Sequence, residues 1–158
     1  VIAPECEGEL LQVVSFLNQR GIRTWNCSSN FTQLASDKWL LANYCRDHAL
    51  PHPPTYLLSQ LSEVDFKKCH LLQGPVVVKP RDGAGCLGLR IYDDWQHAVN
   101  ALRREDIWDS DQWLVQEYIQ GQAASRSLVS DGREVDLQLW FSQELIDGRE
   151  AEVRTLSY

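Results

Sequence analysis

The sequence lacks the features that would place it in several other classes of protein. It has no apolar run long enough to cross a bilayer and no basic start leading into an apolar signal region. Its formal net charge of −7 would repel the phosphates of nucleic acids and of anionic lipids. We therefore expect neither nucleic acid nor a membrane as its main partner.

The cysteines do not form a recognisable framework. They are an odd set of five, with no C-x-x-C pair and no histidine at zinc spacing: Cys6, Cys27, Cys45, Cys69 and Cys86. This argues against disulfides or a structural metal and favours a reducing, cytoplasmic setting. Methionine is absent altogether, and the chain opens on "VIAP" and stops at "EVRTLSY". These ends predict a segment of a longer protein.

What is present is enough to fold. A chain of 158 residues, 44% of them hydrophobic, can bury one globular core. "VIAPE" indicates a buried strand end, and the following segment has apolar residues at helical spacing, with Gly21 placed to end the helix. "IRTW" predicts a short strand and "NCSSN" a loop.

A second helix is predicted with Ser36 as its N-cap, Asp37 in its first turn and an apolar face through Leu40, Tyr44 and His48.

After the prolines of "PHPPT" the patterns indicate mainly strands. "TYLL", "PVVVKP", "LRIY" and "QWLVQEYI" are typical of strands. Asp94 is placed to cap an amphipathic helix, and the segment from Ser125 to Phe141 predicts a hairpin that turns at Asp131 and Gly132. The fold class expected is therefore α+β.

One loop carries most of the functional signal. In "VVVKPRDGAGCLG", Gly83, Gly85 and Gly88 match the pattern G-x-G-x-x-G. A dinucleotide-binding loop would lead into a helix, but "LRIY" follows here. A Walker loop would continue with G-K-S or G-K-T, and a kinase loop would precede its lysine, whereas Lys79 comes before these glycines. A β-hairpin that folds over phosphate remains, beside the alternative of an ordinary hairpin with a surface lysine.

Four motifs in order identify a known family. "ASDK", "LPHPPT", "VVVKPRDGAGCLG" and "VQEYIQG" resemble the ATP-grasp ligases. The run "APE", "NCSS", "ASDK", "QEYIQG" and "SRSLVSDG" is most similar to the branch of tyramine-glutamate ligase and the pyrrolysine-pathway ligases. The resemblance implies an ATP-grasp fold in three parts. Residues 1–34 would end an α/β N-terminal domain, residues 35–120 would form the complete lid subdomain, and residues 121–158 would begin the catalytic subdomain.

The resemblance also implies where ATP binds. Lys38 and Lys79 match the two lysines that contact the ATP phosphates in this family. The loop from Arg81 to Gly88 matches the mobile loop that closes over the phosphates, and its expected contacts are Asp82, Gly83, Ala84 and Gly85. Taken alone, Lys38 is better explained as a solvated surface lysine.

The resemblance places adenine against the segment from Gln116 to Ile119. Backbone C=O and N–H groups at a strand edge can bind the adenine ring without particular side chains, so the expected contacts are Gln116, Glu117, Tyr118 and Ile119. An edge strand with Tyr118 in the core is compatible with this role. Ser125 or Gln122 would replace the acidic residue that holds the ribose in many relatives.

The activity implied is an ATP-dependent ligase. It would join a small-molecule carboxylate to an amine or similar nucleophile through an acyl-phosphate and release ADP. The magnesium ligands and an N-x-R motif are expected beyond this chain, so Mg²⁺ is an expected cofactor with no ligands here. We expect no catalytic residue in this chain and no activity from it alone. Two alternatives stay open, which are a non-catalytic nucleotide-binding module and a plain α+β interaction domain.

Overall fold

The computed structural model describes residues 7–61, 74–105, 107–108, 110–122, 124–131, 133–146 and 150–155. Contacts within the chain divide it into two compact units, Val1–Tyr118 and Ile119–Tyr158. The strand expected at "VIAPE" lies outside the described residues. The assignment of residues 1–34, 35–120 and 121–158 to family subdomains remains a prediction.

Helix α1 spans Glu9–Gln19, as its apolar spacing predicted, and Gly21 follows it with φ +68°. Helix α2, Ser29–Ser36, was not predicted. The side-chain oxygen of Ser28 accepts a hydrogen bond from the backbone N–H of Phe31 and so begins the helix. The strand predicted from "IRTW" is wrong, because residues 22–25 have no strand and Trp25 is 93% exposed.

Helix α3 spans Lys38–Asp47, and its N-cap is Asp37 rather than the predicted Ser36. One carboxylate oxygen of Asp37 accepts hydrogen bonds from the backbone N–H groups of Trp39 and Leu40. The predicted apolar face is also wrong, since Leu40 and Tyr44 are each 40% exposed and Ala42 is the buried residue of the helix. The helix has apolar residues on several sides, so its pattern did not identify the buried one.

The first unit contains a four-stranded antiparallel sheet. Its strands are β1 Thr55–Leu57, β2 Val76–Pro80, β3 Arg90–Tyr92 and β4 Trp113–Glu117, in the order β1-β4-β2-β3. A short 3₁₀ turn, Leu58–Gln60, follows β1. These strands confirm the sequence prediction, including the hairpin that joins β2 to β3.

Helix α4, Trp95–Arg104, covers one face of this sheet. The carboxylate of Asp94 accepts the backbone N–H of His97, which confirms the predicted cap. The main hydrophobic core lies between this helix and the sheet and consists of Leu58, Leu61, Val76, Val78, Trp95, Ala98, Val99, Leu102 and Val115. Burial of this cluster fixes which residues of β2 face the helix.

The second unit is a three-stranded antiparallel sheet. It consists of β5 Ala124–Ser130, β6 Val135–Ile146 and β7 Glu150–Thr155, paired in that order. At the turn between β5 and β6, Asp131 Oδ1 accepts the N–H groups of Arg133 and Glu134. The hairpin predicted from the sequence is therefore confirmed.

Candidate functional site

Lys79 lies on the sheet face that helix α4 leaves uncovered. Val76 and Val78 of β2 are buried against α4, and side chains alternate along a strand, so Lys79 lies on the opposite face, where its cross-strand neighbour is Leu114. Lys79 is half-buried. Burial lowers the pKa of its ammonium group, and repulsion from Lys38 lowers this pKa further. The two lysines are thus close enough to interact.

Lys38 is the first residue of α3 and contacts the glycine loop directly. Its Nζ donates hydrogen bonds to the carbonyl oxygens of Gly83, at 2.6 Å, and Arg81, at 3.4 Å. Its backbone N–H donates to the carbonyl oxygen of Arg81 at 3.1 Å. Burial lowers the pKa of Lys38, and the charges of Asp82 and Asp37 partly oppose that effect. The structure therefore brings Lys38, Lys79 and the glycine loop together.

The glycine loop has the backbone conformation that an anion-binding turn needs. Gly83, Gly85 and Gly88 have φ angles of +89°, +67° and +73°, which favour glycine strongly. Ala84 and Gly85 are exposed at its tip. Successive residues with φ of alternating sign can direct neighbouring N–H groups toward one anion. The loop predicted to bind phosphate is thus solvent-accessible and suitably folded.

Asp82, which was predicted to contact ATP, makes two hydrogen bonds to the protein backbone. Its Oδ1 accepts the N–H of Gly83 at 2.6 Å, and its Oδ2 accepts the N–H of Glu7 at 2.8 Å. These contacts hold the start of the loop against the residues that precede α1. In this structure Asp82 therefore organises the loop.

Gly88 ends the loop at a close approach. A Cβ atom at this position would lie 2.8 Å from Cγ of Pro80 and 3.5 Å from Cη2 of Trp113. The first distance is shorter than a carbon–carbon contact allows. The last glycine of the motif is therefore required by the packing of β2 against the loop.

Two charged residues complete this site, and the sequence reasoning had not paired them. Arg81 Nε donates to Asp37 Oδ1 at 3.0 Å and to Oδ2 at 2.8 Å, and Arg81 Nη2 lies 2.7 Å from Oδ2. Burial opposes ionisation of Asp37, but the hydrogen bonds from Arg81 and from the backbone of α3 outweigh it and lower the pKa of the carboxyl group. The same pairing raises the pKa of Arg81. No local sequence pattern pairs residues so far apart.

A cavity of about 400 Å³ adjoins this ion pair. Its lining includes Asp37, Arg81 and Asp82 from the site, together with residues of α1 and its N-cap, of α2 and of the segment before β4: Gly8, Leu11, Gln33, Ser36 and Gln112. The base of the glycine loop thus borders open space as well as helix α3.

The segment predicted to bind adenine differs from the expected strand edge. Strand β4 lies between β1 and β2, so its residues through Gln116 have partners on both sides. Gln116 is buried, and its Nε2 donates to Thr55 Oγ1 at 2.5 Å. The pairing with β1 ends at Gln116, and Glu117 runs past it. The N–H of Tyr118 donates to the carbonyl oxygen of Pro75 at 3.0 Å. The edge accordingly begins at Glu117.

Ile119 and Ser125 belong to the second unit. Ile119 is exposed at the start of that unit. Ser125 lies in β5, where it pairs with Phe141 of β6. Their predicted contacts with adenine and ribose remain predictions.

The described part of the chain has no group of three or more histidine, cysteine or acidic residues that could hold a metal ion. The magnesium ligands expected downstream of this chain remain a prediction. None of the helices in the described ranges is both long and apolar enough to cross a membrane.

The antiparallel sheet, the lysine at the end of its β2 strand and the glycine hairpin define an α+β domain of the ATP-grasp type. The ATP-grasp domain family matches residues 35–157, and the chain belongs to this family. The suggested likeness to the tyramine-glutamate branch is not addressed by the relatives found and stays a prediction.

Known proteins of this fold resemble the chain at low identity. A D-alanine–D-alanine ligase of Bacillus anthracis is 25% identical over 104 residues, which cover 66% of this chain and 34% of that protein. The crystal structure of the D-alanine–D-alanine ligase from Bacillus anthracis complexed with ATP matches with a TM-score of 0.65 and 22% identity, over 92% of this chain and 47% of that one.

An L-amino acid ligase from Bacillus licheniformis matches with a TM-score of 0.65 and 14% identity, over 94% of this chain and 34% of that one. These structural likenesses establish the fold. The chain spans about a third of the length of the curated relatives it matches.

Proposed function

We propose that this chain forms the phosphate-binding part of an ATP-dependent ligase that joins a carboxylate to an amine or similar nucleophile. Membership of the ATP-grasp family and the likeness to amino acid ligases support this reaction class. These relatives also support a carboxylate substrate of the amino acid type. The same comparisons favour a role for the chain within a longer enzyme.

The observation that carries the proposal is the convergence of two ammonium groups beside a glycine loop. Lys38 and Lys79 come from a helix and a strand, yet they lie close enough that repulsion from Lys38 lowers the pKa of Lys79, and Lys38 also binds the loop carbonyls. Folding brings two like charges together at a cost, which an anion between them offsets. A polyphosphate has the charge and the length to contact both groups.

The chain's own residues suit phosphoryl transfer, which is mostly positioning and charge neutralisation. ATP, when bound, supplies the γ-phosphoryl group that activates a carboxylate as an acyl-phosphate. The two lysines hold the phosphates and reduce the repulsion that an incoming carboxylate meets. The N–H groups of the loop bind phosphate oxygens, and its closure excludes water from a reactive intermediate.

The adenine ring would contact the backbone from Glu117 onward, where β4 runs past the end of β1. This position leaves Gln116 in a structural role, because its side chain is buried against Thr55. The amide of Tyr118 is already bonded to Pro75, so the carbonyl oxygen of Glu117 is the proposed partner of the ring in the first unit.

The proposal is tested by titrating the chain with ATP and magnesium in a calorimeter. We expect saturable binding that Lys38→Ala and Lys79→Ala each weaken by about tenfold or more, because charge-assisted contacts to phosphate contribute on the order of 1.5–3 kcal/mol. Arg46→Ala is the matched control, since it removes a cation from the exposed last turn of α3. Equal affinity in the parent and both lysine variants would refute the phosphate role.

A further inference from the structure

The ion pair of Asp37 and Arg81 connects the two elements that carry the proposed phosphate-binding groups. Asp37 caps α3, whose first residue is Lys38, and Arg81 follows β2 at the base of the glycine loop. The guanidinium group contacts both oxygens of the carboxylate at 2.7 to 3.0 Å. Such a bidentate pair fixes orientation as well as distance.

Four further hydrogen bonds surround the ion pair. The backbone N–H of Lys38 donates to the carbonyl oxygen of Arg81 at 3.1 Å, and Lys38 Nζ donates to the same oxygen and to that of Gly83. The N–H of Arg81 donates to the carbonyl oxygen of Gln112 at 2.8 Å, just before β4. One residue, Arg81, is therefore attached both to the sheet and to the helix.

We propose that Asp37 and Arg81 are positioning residues that hold Lys38 and the base of the glycine loop in one fixed arrangement. We call this ion pair the clasp. The part of the inference that concerns ATP rests on the proposed function, whereas the mechanical coupling of helix and loop does not. When the clasp opens, the first turn of α3 and residues 81–83 lose a shared constraint and move independently.

The chemistry of Asp37 allows its two roles to be separated. Asparagine caps a helix about as well as aspartate, because its side-chain oxygen accepts the same backbone N–H groups. It cannot form an ion pair with arginine. Asp37→Asn therefore removes the charge of the clasp and keeps the cap of α3, and Arg81→Gln removes the other charge without touching the cap.

The first test is amide hydrogen exchange in the 158-residue chain without nucleotide. We expect Asp37→Asn to raise exchange about tenfold at the N–H groups of both Lys38 and Gly83, although Gly83 lies in a different element from the substitution. Arg81→Gln should raise exchange by the same factor. The double variant should exchange no faster than either single variant, because both substitutions remove the same ion pair. Unchanged exchange at Gly83 in the two single variants would overturn the clasp.

The matched control is Glu105→Gln. Glu105 follows α4 and pairs with Arg90 of β3, so its substitution breaks an ion pair of the same unit that does not involve Lys38 or the loop. We expect no change at the amides of Lys38 and Gly83. An equal response to Glu105→Gln would show general destabilisation and contradict a specific clasp.

The second test compares affinities for ATP and for adenosine. Misplacement of Lys38 and the loop should weaken ATP about tenfold in Asp37→Asn, whereas adenosine, which has no phosphates, should change less than twofold. Equal losses for both ligands would overturn a positioning role. If the parent chain binds no ATP, the proposed function fails, and the exchange experiment alone then decides whether the clasp couples helix and loop.

Discussion

Lys38 lowers the pKa of Lys79 by repulsion, although one residue begins a helix and the other lies near the end of a strand. Burial acts on Lys79 in the same direction and more strongly. A lysine in this environment loses its proton more readily than a lysine in water. An anion bound between the two lysines would restore the proton, so nucleotide binding and pH should be linked.

Binding of ATP should therefore weaken as the solution becomes alkaline. The pKa of Lys79 in the free protein lies below its ordinary value of 10.5, and phosphate raises it again. As pH rises through that lowered pKa, binding must take up a proton and affinity falls. Calorimetry in buffers of different ionisation enthalpy measures this uptake. Proton uptake on ATP binding should diminish in Lys79→Ala. Uptake equal to that of the parent would contradict Lys79 as the group that takes up the proton.

Without nucleotide, the lowered pKa of Lys79 makes the free energy of unfolding increase with pH, whereas the affinity for ATP decreases with pH. The unfolded chain keeps the proton of Lys79 to higher pH than the folded chain does. The contribution of Lys79 to stability is therefore unfavourable at neutral pH. It improves as pH rises from the lowered pKa of the folded chain toward the ordinary value of 10.5. Lys79→Met should accordingly stabilise the free chain at pH 7, as measured by urea unfolding, even while it abolishes phosphate contact. A loss of stability would contradict an unfavourably buried charge.

The clasp should contribute to stability only while Asp37 is ionised. Its pKa lies below the ordinary value, so the contribution is present above that value and is lost as pH falls through the folded-state pKa. The side chains of Arg81 and Asp37 are 26% and 22% exposed, which limits screening by solvent. We expect Asp37→Asn to cost about 1 kcal/mol at pH 7 and less in strong acid, measured by urea unfolding.

Asp47→Asn provides the control for that measurement. Asp47 forms a longer contact with Arg46 at 3.7 Å, and both side chains are mostly exposed. Such surface pairs contribute little to stability. Its substitution should leave the urea midpoint unchanged at pH 7, and a loss as large as that of Asp37→Asn would show that the clasp has no special weight.

Substitution by alanine should destabilise the chain less at Gly85 than at Gly88. Gly85 has φ +67° and open space around it, so Gly85→Ala should cost about 1 kcal/mol of backbone strain. Gly88→Ala adds a contact of 2.8 Å with the rigid ring of Pro80, which should cost about 1–3 kcal/mol more. Urea unfolding of the two variants measures the difference. Equal losses would mean that the close approach at Gly88 is absent in solution.

Much of the fold could be predicted because local signals agreed with tertiary packing. Asp94 and the apolar residues of α4 share one face, and β2 is so apolar that only a buried strand fits it. Helix α2 was missed because serine and asparagine favour both turns and N-caps. Ser28 was the available signal, since it precedes the helix as a cap.

The site was predictable where it depends on residue type and order along the chain. Lys79 and the glycines follow from one motif, and Lys38 from the resemblance of its own short motif to the family. The pairing of Asp37 with Arg81 depends on packing between distant segments, which a single sequence does not reveal. The edge at Glu117 likewise depends on where the neighbouring strand β1 ends.

The most direct measurement uses ATP whose terminal phosphate carries a reactive acyl group. Such a probe acylates amines that lie next to the bound phosphates, and mass spectrometry identifies the labelled residues. The chain has four lysines, Lys38, Lys67, Lys68 and Lys79. We predict labelling of Lys38 and Lys79 that excess ATP prevents, at levels well above those at Lys67 and Lys68. Uniform labelling of all four, or labelling that ATP does not reduce, would contradict a common phosphate site.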